Sequence, residues 1–299
     1  MNLEDAVQTL ASPFSQQELK EAMKSLSKRY LSGSSQHTPI HRIAYLIMRL
    51  PATYAVLRKV LSMVEIPARV LDCGAGPGTS IFALEGMGVQ ELTLIEKDHE
   101  FIKLGQKLQP ASPFQVSWKH ASFLHLKEKA DLILFSYSLN EIPQSELHSV
   151  ITKAYHCTEN FLIVIEPGTP AGFQRIHQVR SQLLELGMSI HAPCPHHLKC
   201  PLYHAKDWCH FSVRLARTSM HRILKDGVLG YEDEKYSYLI ASKTPYSPSG
   251  ERVIRSPIKR KGHTKVSLCS AAGLIEKTVT GKMRKSLEWG ALLHDERKS

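Results

Sequence analysis

The chain has 299 residues, 42% hydrophobic and 22% charged, enough to bury one sizeable α/β core and a smaller second unit. No apolar run approaches the roughly 18 residues that a membrane span needs, and Met1-Asn2-Leu3-Glu4-Asp5 carries acid where a signal or transit peptide carries Lys or Arg; a soluble, cytoplasmic protein with no membrane partner is expected. The net charge of +10 is uneven: between Glu251 and Lys285 ten basic residues stand against two acidic ones, which suits a polyphosphate partner or else a solvated face.

Residues 1–67 read as a helical region. Ser15-x-x-Glu18 is a capping box ahead of a periodic segment that runs to about Leu31, where Ser32-Gly33-Ser34-Ser35 breaks it. A second helical stretch starts near Pro39 and carries Ile43, Leu46, Ile47 and Leu50. Pro51 is expected to kink or restart it, with the pattern resuming through Tyr54, Leu57, Val60, Leu61 and Val64 and ending before Pro67.

From 68 to 245 the pattern alternates. Strands are expected at Arg69–Cys73, Glu91–Glu96, Phe114–Lys119, Ala130–Tyr137 and Asn160–Ile165, with helices near Thr79–Met87, His99–Leu108 and Ala171–Leu186. Such alternation predicts a parallel sheet covered on both faces. Met188–His191 and Lys235–Ser242 are expected to be the last two strands, with an insertion of about 192–232 between them. Beyond a Pro/Ser linker, 246–299 forms a basic extension in which Lys265–Cys269 and Leu274–Thr280 read as a hairpin around Ala271-Ala272-Gly273.

Val70-Leu71-Asp72-Cys73-Gly74-Ala75-Gly76-Pro77-Gly78-Thr79 puts three glycines at the carboxyl end of the first strand, where small residues let backbone approach a ligand. Glu96, ending the second strand, can accept ribose hydroxyls. The spacing misses the G-x-G-x-x-G of dinucleotide folds, and Asp72 ahead of the first glycine favours S-adenosylmethionine over NAD. The predicted cofactor residues are Asp72, Gly74, Ala75, Gly76, Gly78 and Glu96. The fold class is therefore α/β, a class I (Rossmann-like) S-adenosylmethionine-dependent methyltransferase fold.

After the third strand Ala121-Ser122 stands where many such enzymes carry an acid, and Ser136–Pro143 lacks the Asn-Pro-Pro-Tyr of base-amine methyltransferases. Methyl transfer needs chiefly positioning. Asn140 and Glu141 are the catalytic candidates, against plain loop-capping roles.

Of six cysteines, Cys73 and Cys157 fit as small buried residues. Cys194, Cys200, Cys209 and Cys269 are too loosely spaced for the usual tight zinc pairs. They can hold a [4Fe–4S] cluster, while His196, His197, His204 and His210 keep a Cys/His zinc site open.

Several runs carry a resemblance: Arg49–Ala55, Glu166-Pro167-Gly168-Thr169-Pro170-Ala171-Gly172-Phe173, Ala192-Pro193-Cys194-Pro195-His196, Cys200-Pro201, Asp207-Trp208-Cys209-His210-Phe211, Tyr231–Tyr238, Arg260-Lys261-Gly262-His263 and Leu268-Cys269. From about residue 39 to 290 the chain resembles the methyltransferase-like protein 17 family of the mitochondrial small ribosomal subunit, and its start suggests a bacterial-type relative. The resemblance implies ribosome biogenesis, with the small subunit and its rRNA as partners. It also implies a four-cysteine cluster at Cys194, Cys200, Cys209 and Cys269. Arg252, Arg255, Lys259, Arg260, Lys261 and Lys265 are the candidate RNA contacts. Three functions follow: an rRNA-directed methyltransferase, a non-catalytic assembly factor that binds S-adenosylmethionine, or a small-molecule methyltransferase.

Overall fold

The computed structural model describes residues 3–32, 38–203, 206–224 and 230–294. Met1, Asn2, the expected break at Gly33-Ser34-Ser35, and His204 lie outside the described residues. In chain order the elements are α1 (Leu3–Ala11), α2 (Gln16–Ser32), α3 (Pro39–Leu61), β1 (Arg69–Cys73), α4 (Thr79–Ala83), β2 (Glu91–Glu96), α5 (His99–Leu108), β3 (Gln115–His120), β4 (Ala130–Ser136), α6 (Gln144–Cys157), β5 (Thr158–Pro167), α7 (Pro170–Glu185) and β6 (Ser189–Ala192). They continue with β7 (Phe211–Ala216), α8 (Ser219–Leu224), β8 (Tyr231–Ser242), β9 (Glu251–Val253), β10 (Ile258–Lys259), β11 (Thr264–Ser270), β12 (Gly273–Val279) and β13 (Leu292–Leu293). The chain divides into two compact units. One holds 1–125, 141–143 and 213–234; the other holds 126–140, 144–212 and 235–299.

In the first unit the capping box forms in both directions. The Ser15 N–H donates to Glu18 Oε2 at 2.8 Å and the Glu18 N–H to Ser15 Oγ at 3.3 Å. Helix α3 continues through Pro51 and does not restart there. Its buried residues lie on both sides of the proline, Ile43 to Leu50 before it and Ala52 to Leu61 after it, and this packing outweighs the missing backbone donor. Strands β1, β2 and β3 pair in parallel, with Asp72 opposite Leu94 and Glu96 opposite His120.

In the second unit β4 and β5 are parallel, β8 runs antiparallel between β5 and β6, and α6 and α7 accompany them. Helix α6 carries no sequence-based expectation, although its buried positions Leu147, Val150, Ile151 and Ala154 fall at the i, i+3, i+4, i+7 spacing of an amphipathic helix. Thr169 caps α7 by accepting from the Gly172 N–H at 3.1 Å, and a Cβ on Gly172 would lie 2.0 Å from the Pro167 carbonyl oxygen. The expected hairpin is β11–β12, with Ser270 opposite Gly273. It belongs to a five-stranded sheet ordered β10-β11-β9-β13, with β12 on β11, over a core of Val253, Val266, Leu268, Val279 and Leu287. Parallel strands flanked by helices, a glycine turn after β1 and an antiparallel strand seated beside β5 make a Rossmann-like α/β sheet of the class I methyltransferase type. Among the described residues no helix is long and apolar enough to cross a membrane.

Candidate functional site

The first unit carries the glycine loop. Gly74, Gly76 and Gly78 all have positive φ, of 78°, 54° and 77°. Gly74 and Ala75 N–H groups both donate to the Ile95 carbonyl, at 2.9 and 3.0 Å, tying the loop to the end of β2. The glycines differ in what faces them. A Cβ on Gly76 would meet nothing within 4 Å, whereas one on Gly78 would lie 2.9 Å from the Trp118 ring. Gly76 offers an open face and Gly78 packs against a side chain.

Glu96 is 7% exposed and braces this loop. Its Oε2 accepts from the Gly76 N–H at 2.8 Å and its Oε1 from the Asp98 N–H at 2.7 Å. Burial raises its pKa against those two donors. Asp72 lies deeper. Burial pushes its pKa up to about 7 although the Ser80 hydroxyl donates to Oδ2 at 2.5 Å, and Oδ1 has no hydrogen-bond partner. Ala75 is buried within the loop. Both carboxylates thus touch the loop or the helix start behind it.

Of the catalytic candidates, Glu141 pairs with Lys97 at 3.2 Å, both near half exposure. Asn140 belongs to the second unit, where its backbone and that of Leu139 face the buried Glu166 carboxyl. Burial raises the Glu166 pKa to about 7, opposed by Arg175 at 3.3 Å.

The second unit brings all four predicted ligand cysteines onto one cavity of about 40 Å³. Cys194 and Cys200 follow β6, Cys209 precedes β7, and Cys269 lies on β11. The side chains oppose one another's ionisation. Burial, then the neighbouring thiols, raise Cys209 well above the ordinary thiol range and Cys269 to about 12. Cys200 is raised for the same reasons. Among the described residues no three His, Cys, Asp or Glu side chains close on a single-ion geometry. His196 Nε2 lies 3.6 Å from Cys269 Sγ, while His197 and His210 bond to backbone at Ile190 and Trp208.

One arginine gave no signal in the sequence, and another lies elsewhere than expected. Arg180, 5% exposed on α7, donates from Nε to Cys194 Sγ at 3.3 Å and from Nη2 to the His196 and Leu198 carbonyls. Arg252 is expected on the RNA face, but it is 8% exposed, lines the same cavity and donates to the Pro193 and Gly290 carbonyls. The chain dictates this: on β9 Arg252 pairs with Cys269 and its side chain points inward with it. Arg255 is held by Asp207 and the Trp208 carbonyl. Lys259, Arg260, Lys261 and Lys265 are exposed on and around β10 and β11.

With this geometry in view, the comparisons decide the family. A model described as mitochondrial small ribosomal subunit Rsm22 matches residues 39–295. The chain belongs to the Rsm22 family. The human ribosome assembly protein METTL17, mitochondrial, is 22% identical over 361 aligned positions, which cover 97% of this chain and 78% of that protein. The Rsm22-cox11 tandem protein 2, mitochondrial, of Schizosaccharomyces pombe is 24% identical, covering 83% of this chain and 41% of that protein. This Rsm22-family chain thus spans less than half of its fission-yeast relative. Among solved structures, the magnesium protoporphyrin IX methyltransferase of Synechocystis PCC 6803 with bound SAH aligns with a TM-score of 0.44 and 14% identity, covering 72% of this chain and 92% of that one. The expected cytoplasmic location is overturned, because the matched relatives are mitochondrial proteins.

Proposed function

We propose that this Rsm22-family chain works in mitochondria on the small ribosomal subunit or its rRNA, holding S-adenosylmethionine at the Gly74–Gly78 loop and a [4Fe–4S] cluster on Cys194, Cys200, Cys209 and Cys269. The observation that carries the reading is the convergence of four thiols, from segments far apart in sequence, on one cavity. An all-thiol donor set spread around a shared space suits a cluster better than one zinc ion. Arg180 and Arg252 supply buried positive charge beside side chains that must ionise to bind metal. When bound, the cluster ties the β11 strand to the segments that follow β6.

The open face at Gly76 and the unpartnered Asp72 Oδ1 fit a cofactor lying along the loop. S-adenosylmethionine supplies an electrophilic methyl group, so the chain's own task is to position the acceptor. Glu96 would hold the ribose while keeping the loop in place. Glu141 is engaged in a surface ion pair with Lys97, which favours the second reading, an assembly factor that binds the cofactor without turnover. The division into a helical region at 1–67, a methyltransferase domain at 68–245 and a basic extension at 246–299 belongs to this proposal. RNA contact falls to Lys259, Arg260, Lys261 and Lys265, without Arg252.

Anaerobic purification with visible absorption and metal analysis tests the cluster: about four iron atoms per chain are expected. A colourless protein with one zinc would refute it. Replacing Arg260, Lys261 and Lys265 with Ala should flatten the salt dependence of RNA affinity by roughly 0.7–0.9 log–log units per lost phosphate contact; an unchanged slope removes the stripe from the reading.

A further inference from the structure

Beside the cysteine cavity, within the same unit, lies a second and larger one of about 560 Å³, well inside the range of ligand pockets. One wall is α7, which contributes Phe173, Gln174 and Gln178; the other carries Tyr203, Lys206 and Trp208. We propose that this cavity receives an unpaired base of single-stranded RNA. The inference rests on the RNA reading above and adds a recognition site to it.

The platform is Tyr203. The residue is 48% exposed, and its ring stacks on His177 with centroids 3.9 Å apart and planes 13° from parallel. One face is therefore supported by protein, which sets the ring's orientation in advance. Trp208 is held too, its Nε1 donating to the Gly168 carbonyl at 2.9 Å. Stacking on aromatic side chains is how single strands are gripped, because every base has a π face and a duplex hides it.

The polar lining suits a base edge. Gln174 and Gln178 stand four residues apart on α7, so both amides project from one helix face, each offering a donor and an acceptor. Gln144 Nε2 donates to Gln178 Oε1 at 2.7 Å, which sets that amide's direction. Lys206 is an exposed cation at the rim, suited to phosphate. Asp207 also lines the cavity, but its carboxylate is paired with Arg255 and does not present a bare negative charge.

The site has a built-in dependence. Tyr203 lies three residues after Cys200 and Trp208 immediately precedes Cys209, so two ligand thiols bracket this wall. Metal bound at the cysteines would hold the wall against α7.

The test uses the full chain, purified anaerobically, with fluorescent 12-nucleotide single-stranded RNA and a blunt RNA duplex of the same length. Tyr203→Ala should weaken single-strand binding about tenfold, the worth of one stacked base. It should leave the salt slope and duplex affinity unchanged. Tyr203→Phe, which keeps the ring, should bind within about twofold of wild type, and Gln174→Ala with Gln178→Ala should narrow affinity differences among the four homopolymers. Unchanged single-strand affinity in Tyr203→Ala overturns the proposal, as does an equal loss on the duplex. Loss of binding to a Trp-containing acidic peptide with RNA affinity intact would reassign the cavity to protein. If wild-type chain binds neither RNA at low salt, the RNA reading falls and this inference with it; wild-type binding that Tyr203 does not influence sinks the pocket alone.

Discussion

At the glycine loop, most groups that shape the site come from the short stretch between Asp72 and Asp98, with the Trp118 ring behind Gly78, and the chain's own hydrogen bonds complete it. At the cysteine cavity, the four thiols come from positions between Cys194 and Cys269, and burial together with their mutual repulsion opposes the ionised form that would bind metal. Glu96 accepts from Gly76 and Asp98 whether or not a ligand is present. Among the described residues Cys269 Sγ has by comparison a single longer contact, to His196 Nε2 at 3.6 Å. The contrast teaches that a contiguous backbone motif is preorganised by its dihedrals, whereas a scattered ligand set gains its order from what it binds.

The largest effect should therefore come from Cys269→Ser. Metal content should fall from about four iron atoms to well under one per chain, since one ligand in four is lost. The basic extension should become sensitive to proteolysis, while S-adenosylmethionine affinity stays within about twofold of wild type. Cys157→Ser, at the end of α6 and away from the cavity lining, should do neither. Full metal occupancy in Cys269→Ser would break the comparison at its root, because the cavity would then not be one site.

The glycine loop should respond the other way, losing ligand but keeping its fold. Gly76 has φ of 54°, which a β-branched residue adopts only under strain, and the space before it is open. Gly76→Val should cut S-adenosylmethionine affinity at least tenfold, about 1.4 kcal/mol, in titration calorimetry. Glu96→Ala removes the acceptor of two backbone donors and should also cost about 1–3 kcal/mol of stability. Unchanged affinity in both variants would show that the cofactor lies elsewhere.

What the sequence disclosed follows the same division. Arg69–Cys73, the glycines and Glu96 were legible because strand, turn and strand end are local and adjacent. At Pro51 the local rule allowed a restart that helix α3 does not make, since packing on both sides of the proline is a tertiary effect. The cysteines were legible as a set only through family resemblance, as their loose spacing misses the usual zinc pairs and by itself only permits a cluster. Arg180 gave no signal at all: on a helix of mixed polarity it reads as a surface cation, and only the fold turns it toward Cys194. Arg252 misled because a basic run looks alike from every side, whereas alternation along β9 sends one member inward.

The smallest effect concerns protons, and it tests how dry the loop's base is. Burial raises Asp72 to about 7 in the folded chain, against an unfolded value near 3.8. A raised folded pKa means that the native state binds the extra proton between those values, so its contribution to stability is present below about pH 4 and is lost as pH rises through 7. Glu166, raised to about 7 in the other unit, acts in the same direction. His191, His196 and His210, lowered by burial, act oppositely, adding stability as pH rises through 6.5. Asp72→Asn should therefore flatten the fall in unfolding free energy, read from urea titrations between pH 5 and about 7, by up to roughly 1.4 kcal/mol per pH unit, one proton's worth. Glu166→Gln should produce a similar flattening without touching cofactor affinity. A pH profile that Asp72→Asn leaves unchanged would mean that Asp72 ionises as it does in water. The glycine loop would then stand on a hydrated base, and its preorganisation would have to come from the Glu96 bonds alone.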